Sequence, residues 1–224
     1  MRGFAVAIAT IAFFSSIFLM SLADATAIQF TNPMITALLS AWLLGERAGR
    51  IVWIVTLVAF VGVLVILRPN FLSLGWAALL PIVAALGMAV VMIGNRMVAG
   101  AGSALQMQFW IAAFAAPFII LAAFLGHASG IEPLKVTMPD WSIIARCAVV
   151  AVIASASHWL VYLGTTRASA AEIAPSVYVQ LLVALLIGML LFNDWPDMLS
   201  LLGAAIIIGA GLYLWQHRRG GRVA

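Results

Sequence analysis

Four polar side chains interrupt an otherwise apolar stretch between residues 24 and 50. They are Gln29, Asn32, Thr36 and Ser40. At about 100° per residue in an α-helix, this spacing places all four on one narrow stripe. Amides and hydroxyls hydrogen-bond neutral or zwitterionic polar molecules, so the stripe is typical of a helix that lines a polar cavity. The alternative is that these groups hydrogen-bond neighbouring helices inside a membrane bundle.

A later apolar stretch carries a second set of candidates for a substrate cavity. Its polar and aromatic members are Ser155, His158, Trp159 and Tyr162. Imidazole titrates near physiological pH, which suits a coupling step or a polar contact by His158. The Trp159 and Tyr162 rings suit stacking on a planar or cationic molecule. The alternatives are a structural hydrogen bond for the histidine and ordinary packing for the rings.

A third set follows at the spacing i, i+4, i+8, namely Glu172, Ser176 and Gln180. Glu172 falls near the start of its helix, which favours an interfacial position, so Ser176 and Gln180 are the cavity candidates. The spacing places Tyr178 on the opposite face unless Pro175 distorts the helix.

Two methionines and an amide share one side of another apolar stretch: Met88, Met92 and Asn95. Methionine adapts to varied shapes, which suits a permissive pocket. Plain core packing is the favoured interpretation for this set.

The composition indicates an integral membrane protein. Apolar residues make up 66% of the chain and charged residues 8%, and the mean hydropathy is +1.19. Soluble chains average about half apolar and a quarter charged. The net charge of +4 is small and dispersed, so the expected partner is the lipid bilayer and no nucleic acid is expected.

With about 20 residues as the membrane criterion, the sequence predicts an all-α, polytopic transmembrane helix bundle of eight spans. They are Phe4–Leu22, Ala25–Leu44, Ile51–Leu67, Gly75–Val98, Ala104–Gly126, Trp141–Leu163, Ala171–Phe192 and Met198–Trp215. A signal peptide ending near Ala23 is the alternative for the first span.

The distribution of basic residues predicts the orientation. Cytoplasmic termini place eight of the 11 lysines and arginines inside and three outside, and the positive-inside rule favours that arrangement. The three on the outside are Arg68, Lys135 and Arg146. We therefore expect a multi-pass protein of the inner (plasma) membrane, with a basic cytoplasmic tail at 218–224.

The two ends of the chain carry a weak internal repeat. Setting Glu46 against Asp194 aligns Phe30-x-Asn32 with Tyr178-x-Gln180. The matching helices are five spans apart, an odd number, so the copies have opposite orientations, as in transporters with a site between inverted repeats. We expect three helices of the first repeat in residues 1–70 and five of the second in 71–217. Two spans precede the second copy and have no equivalent before the first.

Short motifs resemble the EamA-type drug/metabolite transporter superfamily. They are A-x-A-I-x-F-x-x-P, L-L-S-A-x-L-L-G-E-R and G-V-x-x-I-x-R-P, which end at Pro33, Arg47 and Pro69. The resemblance implies ten helices in two inverted repeats and alternating-access transport of a small organic metabolite across the inner membrane. It also implies that this chain starts at the third helix and lacks the first two.

Two other classes remain as alternatives, a truncated non-transporting remnant and a membrane-embedded enzyme. An enzyme would need paired carboxylates or a His/Asp/Glu cluster, and only Asp194 and Asp197 lie close together. We therefore expect no enzyme, no cofactor and no metal. The patterns Ala184-x-x-x-Gly188 and Ala205-x-x-x-Gly209 predict close helix packing within the chain, with a homodimer contact as the alternative.

Overall fold

The computed structural model describes residues 1–46, 49–69, 75–131, 134–136, 138–193 and 195–220. Helices, turns and short loops account for all of these residues, without a strand among them. The predicted all-α membrane bundle is confirmed. Arg47, Asp194 and residues 221–224 of the predicted tail lie outside the described residues.

The α-helices of the described residues are α1 Arg2–Ser16, α2 Leu22–Gln29, α3 Asn32–Leu43, α4 Arg50–Leu67, α5 Leu79–Met97, α6 Ala104–Ala128, α7 Trp141–Thr165, α8 Ala170–Ile173, α9 Val179–Phe192 and α10 Met198–Gly220. Two 3₁₀ segments accompany them. Gly75–Ala78 leads into α5, and Ala174–Tyr178 connects α8 to α9.

Each predicted span contains a helix, but the first helix is shorter than predicted and two of the other spans are interrupted. The predicted Ala25–Leu44 is the pair α2 and α3, and the predicted Ala171–Phe192 is α8, the 3₁₀ segment and α9. By length and composition, five helical segments among the described residues can cross a membrane. The helices Arg2–Ser16 and Met198–Leu214 are apolar but shorter, so the count of eight spans stays a prediction.

The first span ends earlier than predicted, at Ser16 instead of Leu22. Ser21 explains the difference, because its side chain accepts a hydrogen bond from the Asp24 backbone N–H at 3.0 Å and begins a new helix. This is the usual role of serine at a helix N-cap.

Proline accounts for both interruptions. Proline lacks the N–H that would bond the carbonyl four residues back, and its ring clashes with that carbonyl. Pro33 therefore prevents α2 from continuing past Gln29 and lies in the first turn of α3. Pro175 likewise lies in the first turn of the 3₁₀ segment.

The two interrupted helices touch at their breaks. The Tyr178 hydroxyl donates to the Phe30 carbonyl at 3.2 Å, and the two rings lie 5.7 Å apart. Both side chains are 1% exposed and belong to the main apolar cluster with residues of α4 and α10. The breaks are therefore a buried part of the core.

Small residues allow α4 and α10 to pack backbone against backbone. A Cβ on Gly62 would lie 2.8 Å from the Gly203 carbonyl oxygen, and a Cβ on Gly203 would lie 2.6 Å from that of Gly62. In contrast, nothing lies within 4 Å of a Cβ placed on Gly188 or Gly209. The predicted packing through those two glycines is wrong, because both glycines face open space.

The helix α7 has few neighbours along its first two thirds. Residues 141–157 are all exposed, whereas α1 packs along both α5 and α6 through small side chains. The buried residues of α7, Tyr162 and Thr165, lie near its end.

We predict that Gly62→Ala lowers the midpoint of thermal unfolding in detergent. The new methyl group overlaps the Gly203 carbonyl, and overpacking of this kind costs about 1–3 kcal/mol. The matched control is Gly209→Ala, which adds the same methyl in open space and benefits from the better helix propensity of alanine, about 0.5–1 kcal/mol. Equal midpoints for the two variants would contradict the close approach.

Candidate functional site

A cavity of about 320 Å³ lies beside the break between α2 and α3, walled by α5, α7 and the start of α9. Its volume is at the lower end of the range for small-molecule sites. Its polar lining residues are Gln29, Asn32, Asn95, Ser157, His158 and Gln180. Phe30, Met88 and Met92 belong to its apolar wall.

The break in the first interrupted helix supplies two amides. Gln29 ends α2 and Asn32 begins α3, so both stand where the regular helix is lost. The Thr36 hydroxyl donates to Asn32 Oδ1 at 2.8 Å, and both residues are buried. Thr36 thus fixes the amide from behind and leaves the N–H groups of Asn32 available as donors.

Two oxygens in the cavity wall are buried without a hydrogen-bond donor. They are Gln29 Oε1 and Asn95 Oδ1. An unsatisfied buried acceptor costs about 1–3 kcal/mol. Asn95 is only 1% exposed, so the cost applies to it in full.

The cavity contains no formal charge among its described lining residues. Neither Asp, Glu, Lys nor Arg contributes to it, and His158 is its one titratable side chain. No group of three or more His, Cys, Asp and Glu that could hold a metal ion occurs in the part of the chain that the structure describes. The described lining residues can therefore bind a ligand through hydrogen bonds and apolar contacts.

Four of the nine predicted site residues line this cavity: Gln29, Asn32, His158 and Gln180. Thr36 lies behind Asn32. Tyr162 is also buried, but its hydroxyl donates to the Val98 carbonyl at 3.1 Å, and the Arg2 guanidinium lies 5.6 Å from the centre of its ring.

Ser155 and Trp159 lie outside the cavity because α7 presents a neighbouring face. The residues of α7 that reach the cavity are Ala154, Ser157, His158 and Val161. Ser155 is exposed and Trp159 is 37% exposed. The predicted polar stripe on α7 is therefore rotated by about one residue from the face that the cavity uses.

Ser176 lies in a different cavity, of about 340 Å³, together with Glu172 and Tyr178. The 3₁₀ segment turns by about 120° per residue instead of 100°. That extra rotation separates Ser176 from Gln180, which the regular spacing had placed on one stripe. Pro175 thus distorts the helix, and as a result Ser176 and Tyr178 line the same cavity.

Asn95, Met88, Met92 and Ser157 also line the cavity but are absent from the predicted site. A signal existed for the α5 residues, because Met88, Met92 and Asn95 share one side of that helix. Core packing was the favoured interpretation, and burial alone fits it. What distinguishes Asn95 is the missing partner of its oxygen, which only the structure shows.

A partly buried ion pair closes the end of the bundle where α3, α5 and α7 finish. Glu46 accepts hydrogen bonds from Arg96 Nε at 2.7 Å, from the Ser40 hydroxyl at 2.7 Å and from the Ala170 N–H at 3.3 Å. Arg96 also donates to the Thr165 carbonyl at 3.0 Å. We call this set the Glu46 network. Ser40, the last member of the first polar stripe, thus serves Glu46 and not the cavity.

The Glu46 network sets the charge state of its carboxylate. Partial burial alone would raise the pKa of Glu46. The hydrogen bonds from Arg96 and Ser40, the positive charge of Arg96 and the Ala170 N–H together outweigh burial, so the pKa of Glu46 lies below its ordinary value. The carboxylate is therefore ionised at neutral pH.

A second ion pair stands at the other end of α4. Arg68, which terminates α4 in a left-handed conformation, donates to Asp197 just before α10. Both side chains are about half exposed, at 47% and 53%. The Arg68 guanidinium holds the pKa of Asp197 well below its usual range. The 18 residues of α4, which lie between Glu46 and Arg68 in the chain, span about 27 Å.

Known proteins resemble this chain at two levels. Residues 3–68 match the family model described as EamA-like transporter family. A solved crystal structure superposes with a TM-score of 0.74 over 93% of this chain and 72% of that chain, at 21% identity. That likeness supports the fold.

Curated relatives match over most of the chain. A riboflavin transporter of Rhizobium johnstonii is 27% identical over 87% of this chain and 62% of its own length. An S-adenosylmethionine uptake transporter of Rickettsia prowazekii is 28% identical over 85% and 62%. The pseudopaline exporter CntI of Pseudomonas aeruginosa is 26% identical over 98% and 75%. The matched region thus spans about 62% of the length of the first two relatives.

We predict a clear energetic coupling between Glu46 and Arg96. A double-mutant cycle with Glu46→Gln and Arg96→Gln, measured by unfolding in detergent, is expected to give about 1–3 kcal/mol, as for residues in one network. The control cycle, Arg68→Gln with Asp197→Asn, is expected to give much less because that pair is half exposed. A larger coupling in the control cycle would refute this ranking.

The Glu46 coupling is also expected to depend on pH. A carboxylate whose folded pKa is depressed stabilises the fold above its unfolded pKa, about 4.3 for glutamate. The coupling should therefore be complete at pH 7 and disappear as the pH falls through the lower folded pKa of Glu46. A coupling unchanged down to pH 2 would contradict the assignment.

Proposed function

We propose that this chain transports a small organic metabolite across the inner membrane. The premise is the match of residues 3–68 to the EamA-like transporter family, which the sequence motifs predicted. The observation that carries the proposal is the uncharged polar cavity at the break between α2 and α3. Irregular backbone is tolerated at membrane depth where it is buried in protein or lines a cavity. Interrupted helices around a substrate site are a common feature of secondary transporters.

The relatives support the class of cargo. Their names give riboflavin, S-adenosylmethionine and pseudopaline, and they include both an uptake transporter and an exporter. What they share is movement of a small organic molecule, so we propose the class without the direction.

Alternating access is the mechanism we propose, between inverted repeats in residues 1–70 and 71–217. The two interrupted helices meet at Phe30 and Tyr178, the residues that the repeat aligns, and this contact supports the pairing. The Glu46 network and the Arg68–Asp197 pair lie at opposite ends of α4. We propose that they close the two ends of the cavity in turn.

We further propose that the Glu46 network faces the cytoplasm, together with both termini. Arg2 lies over Tyr162 near the end of α7 and donates to the carbonyl of Met107 near the start of α6. Arg2 and Arg96 are therefore at the same end of the bundle as Glu46. A concentration of arginine at one end supports its cytoplasmic placement.

We predict that Asn32→Ala and His158→Ala each reduce flux of the transported metabolite into proteoliposomes by about 10-fold, without reducing the amount of protein. The loss of one hydrogen bond to a buried ligand costs about 1–1.5 kcal/mol. A free-energy change of about 1.4 kcal/mol changes the dissociation constant tenfold. The first compounds to test are riboflavin and S-adenosylmethionine.

The matched control is Ser155→Ala, which removes a hydroxyl from α7 outside the cavity and should leave flux unchanged. Unaltered flux in both cavity variants would remove this cavity from the transport path. Equal losses in the cavity variants and in the control would indicate a general effect on folding.

A further inference from the structure

The unpaired oxygens of the cavity point to the kind of molecule it holds. Asn95 is almost fully buried, yet its Oδ1 has no donor among the described residues, and the same is true of Gln29 Oε1. Such groups are costly in a resting protein. The cost is recovered if a bound molecule brings N–H groups to both oxygens.

The Asn95 amide has access to the cavity through a soft torsion. Its side chain belongs to the cavity wall, and χ2 of asparagine is broad and roughly two-fold. A rotation about χ2 would turn Oδ1 toward a ligand in the cavity without moving α5. The oxygen of Asn32 is already engaged by Thr36, so its N–H groups are suited to an acceptor on the same ligand.

The absence of charge around the cavity limits the ligand further. Burial of an ion is costly unless an opposite charge accompanies it, and no Asp, Glu, Lys or Arg is among the described lining residues. Free acceptors also repel an anion. Met88, Met92 and Phe30 provide soft and flat apolar contacts, which suit the faces of a planar ring.

We propose that the cavity selects a neutral, planar molecule whose edge carries at least two N–H donors and a carbonyl acceptor, such as a cyclic amide, a ureide or a heterocycle with ring N–H groups. This inference rests on the proposed function, because it describes the cargo of the same cavity. In the complex, Asn95 and Gln29 accept the N–H groups and Asn32 donates to the carbonyl.

A rival explanation pairs Asn95 with a protein group. Arg2 Nε is also buried and without a partner, and the Arg2 side chain passes close to Gly94, where a Cβ would meet its Cγ at 2.6 Å. If Asn95 serves Arg2, it is a structural residue and its removal destabilises the fold. If it serves a ligand, its removal relieves the empty protein of an unsatisfied group.

The first test is the stability of Asn95→Leu without ligand. Leucine has a similar shape and no polar atoms, and replacing an unpaired buried polar group is neutral or stabilising. We expect an unfolding midpoint in detergent equal to or above that of the natural protein. A lower midpoint would favour the pairing with Arg2 and overturn the proposal.

The second test compares three probes of similar shape by saturation-transfer NMR at millimolar concentration with the full chain in detergent. Uracil has two ring N–H donors, 1,3-dimethyluracil has none, and orotate adds a carboxylate to the uracil ring. We expect uracil to bind at least 10-fold more tightly than either of the others. Asn95→Leu should abolish this preference, and Ser155→Ala should keep it.

Equal or tighter binding of dimethyluracil or orotate would overturn the proposal, as would failure of all three to bind. These failures are distinct from failure of the proposed function. A chain that still moves a metabolite through Asn32 and His158, but without preference for N–H donors, is a transporter of another substrate class.

Discussion

The hydrogen bond from the Tyr178 hydroxyl to the Phe30 carbonyl is the interaction on which the rest of the structure depends. A helix interrupted inside a membrane leaves backbone groups that lipid cannot satisfy. Here the break in one helix is completed by a side chain from the break in the other. Thr31 supplies a further bond to the Ile28 carbonyl at 2.7 Å. Because these groups are satisfied, the chain can hold two irregular segments in its core and place Gln29 and Asn32 beside a cavity.

The polar residues around this core divide into those that complete the protein and those that remain available. Thr36, Ser40 and Tyr162 each have a hydrogen-bond acceptor within the chain, and they fix a helix or a loop. Gln29 and Asn95 keep an unpaired oxygen at the cavity. Polar residues within the apolar helices therefore have two roles in this molecule. Those with a hydrogen-bond partner in the chain stabilise the fold, and those without one can contact a ligand.

Much of the fold could be predicted from the sequence because its determinants are local. Apolar length fixed the positions of the helices, and Pro33 and Pro175 were visible as points where a helix weakens. The face of α7 could not be predicted, since residues 141–157 lack a buried side that polarity would reveal. The position of Ser176 outside the cavity could not be predicted either, because regular helical spacing does not reveal the 3₁₀ segment that contains Pro175. Whether Asn95 serves packing or ligand contact could not be predicted, because the answer depends on whether another helix supplies a donor to its oxygen.

The glycine contact between α4 and α10 has a mechanical consequence. Gly62 and Gly203 bring the backbones of the two helices close together, so this contact is a natural point about which one helix can tilt on the other. It divides α4 unequally, with 12 residues toward Arg50 and six toward Arg68, or about 18 Å and 9 Å at the helical rise. A tilt of α4 about this fulcrum moves its Arg50 end about twice as far as its Arg68 end. A small displacement where Arg68 meets Asp197 would therefore correspond to a larger one at the Arg50 end of α4.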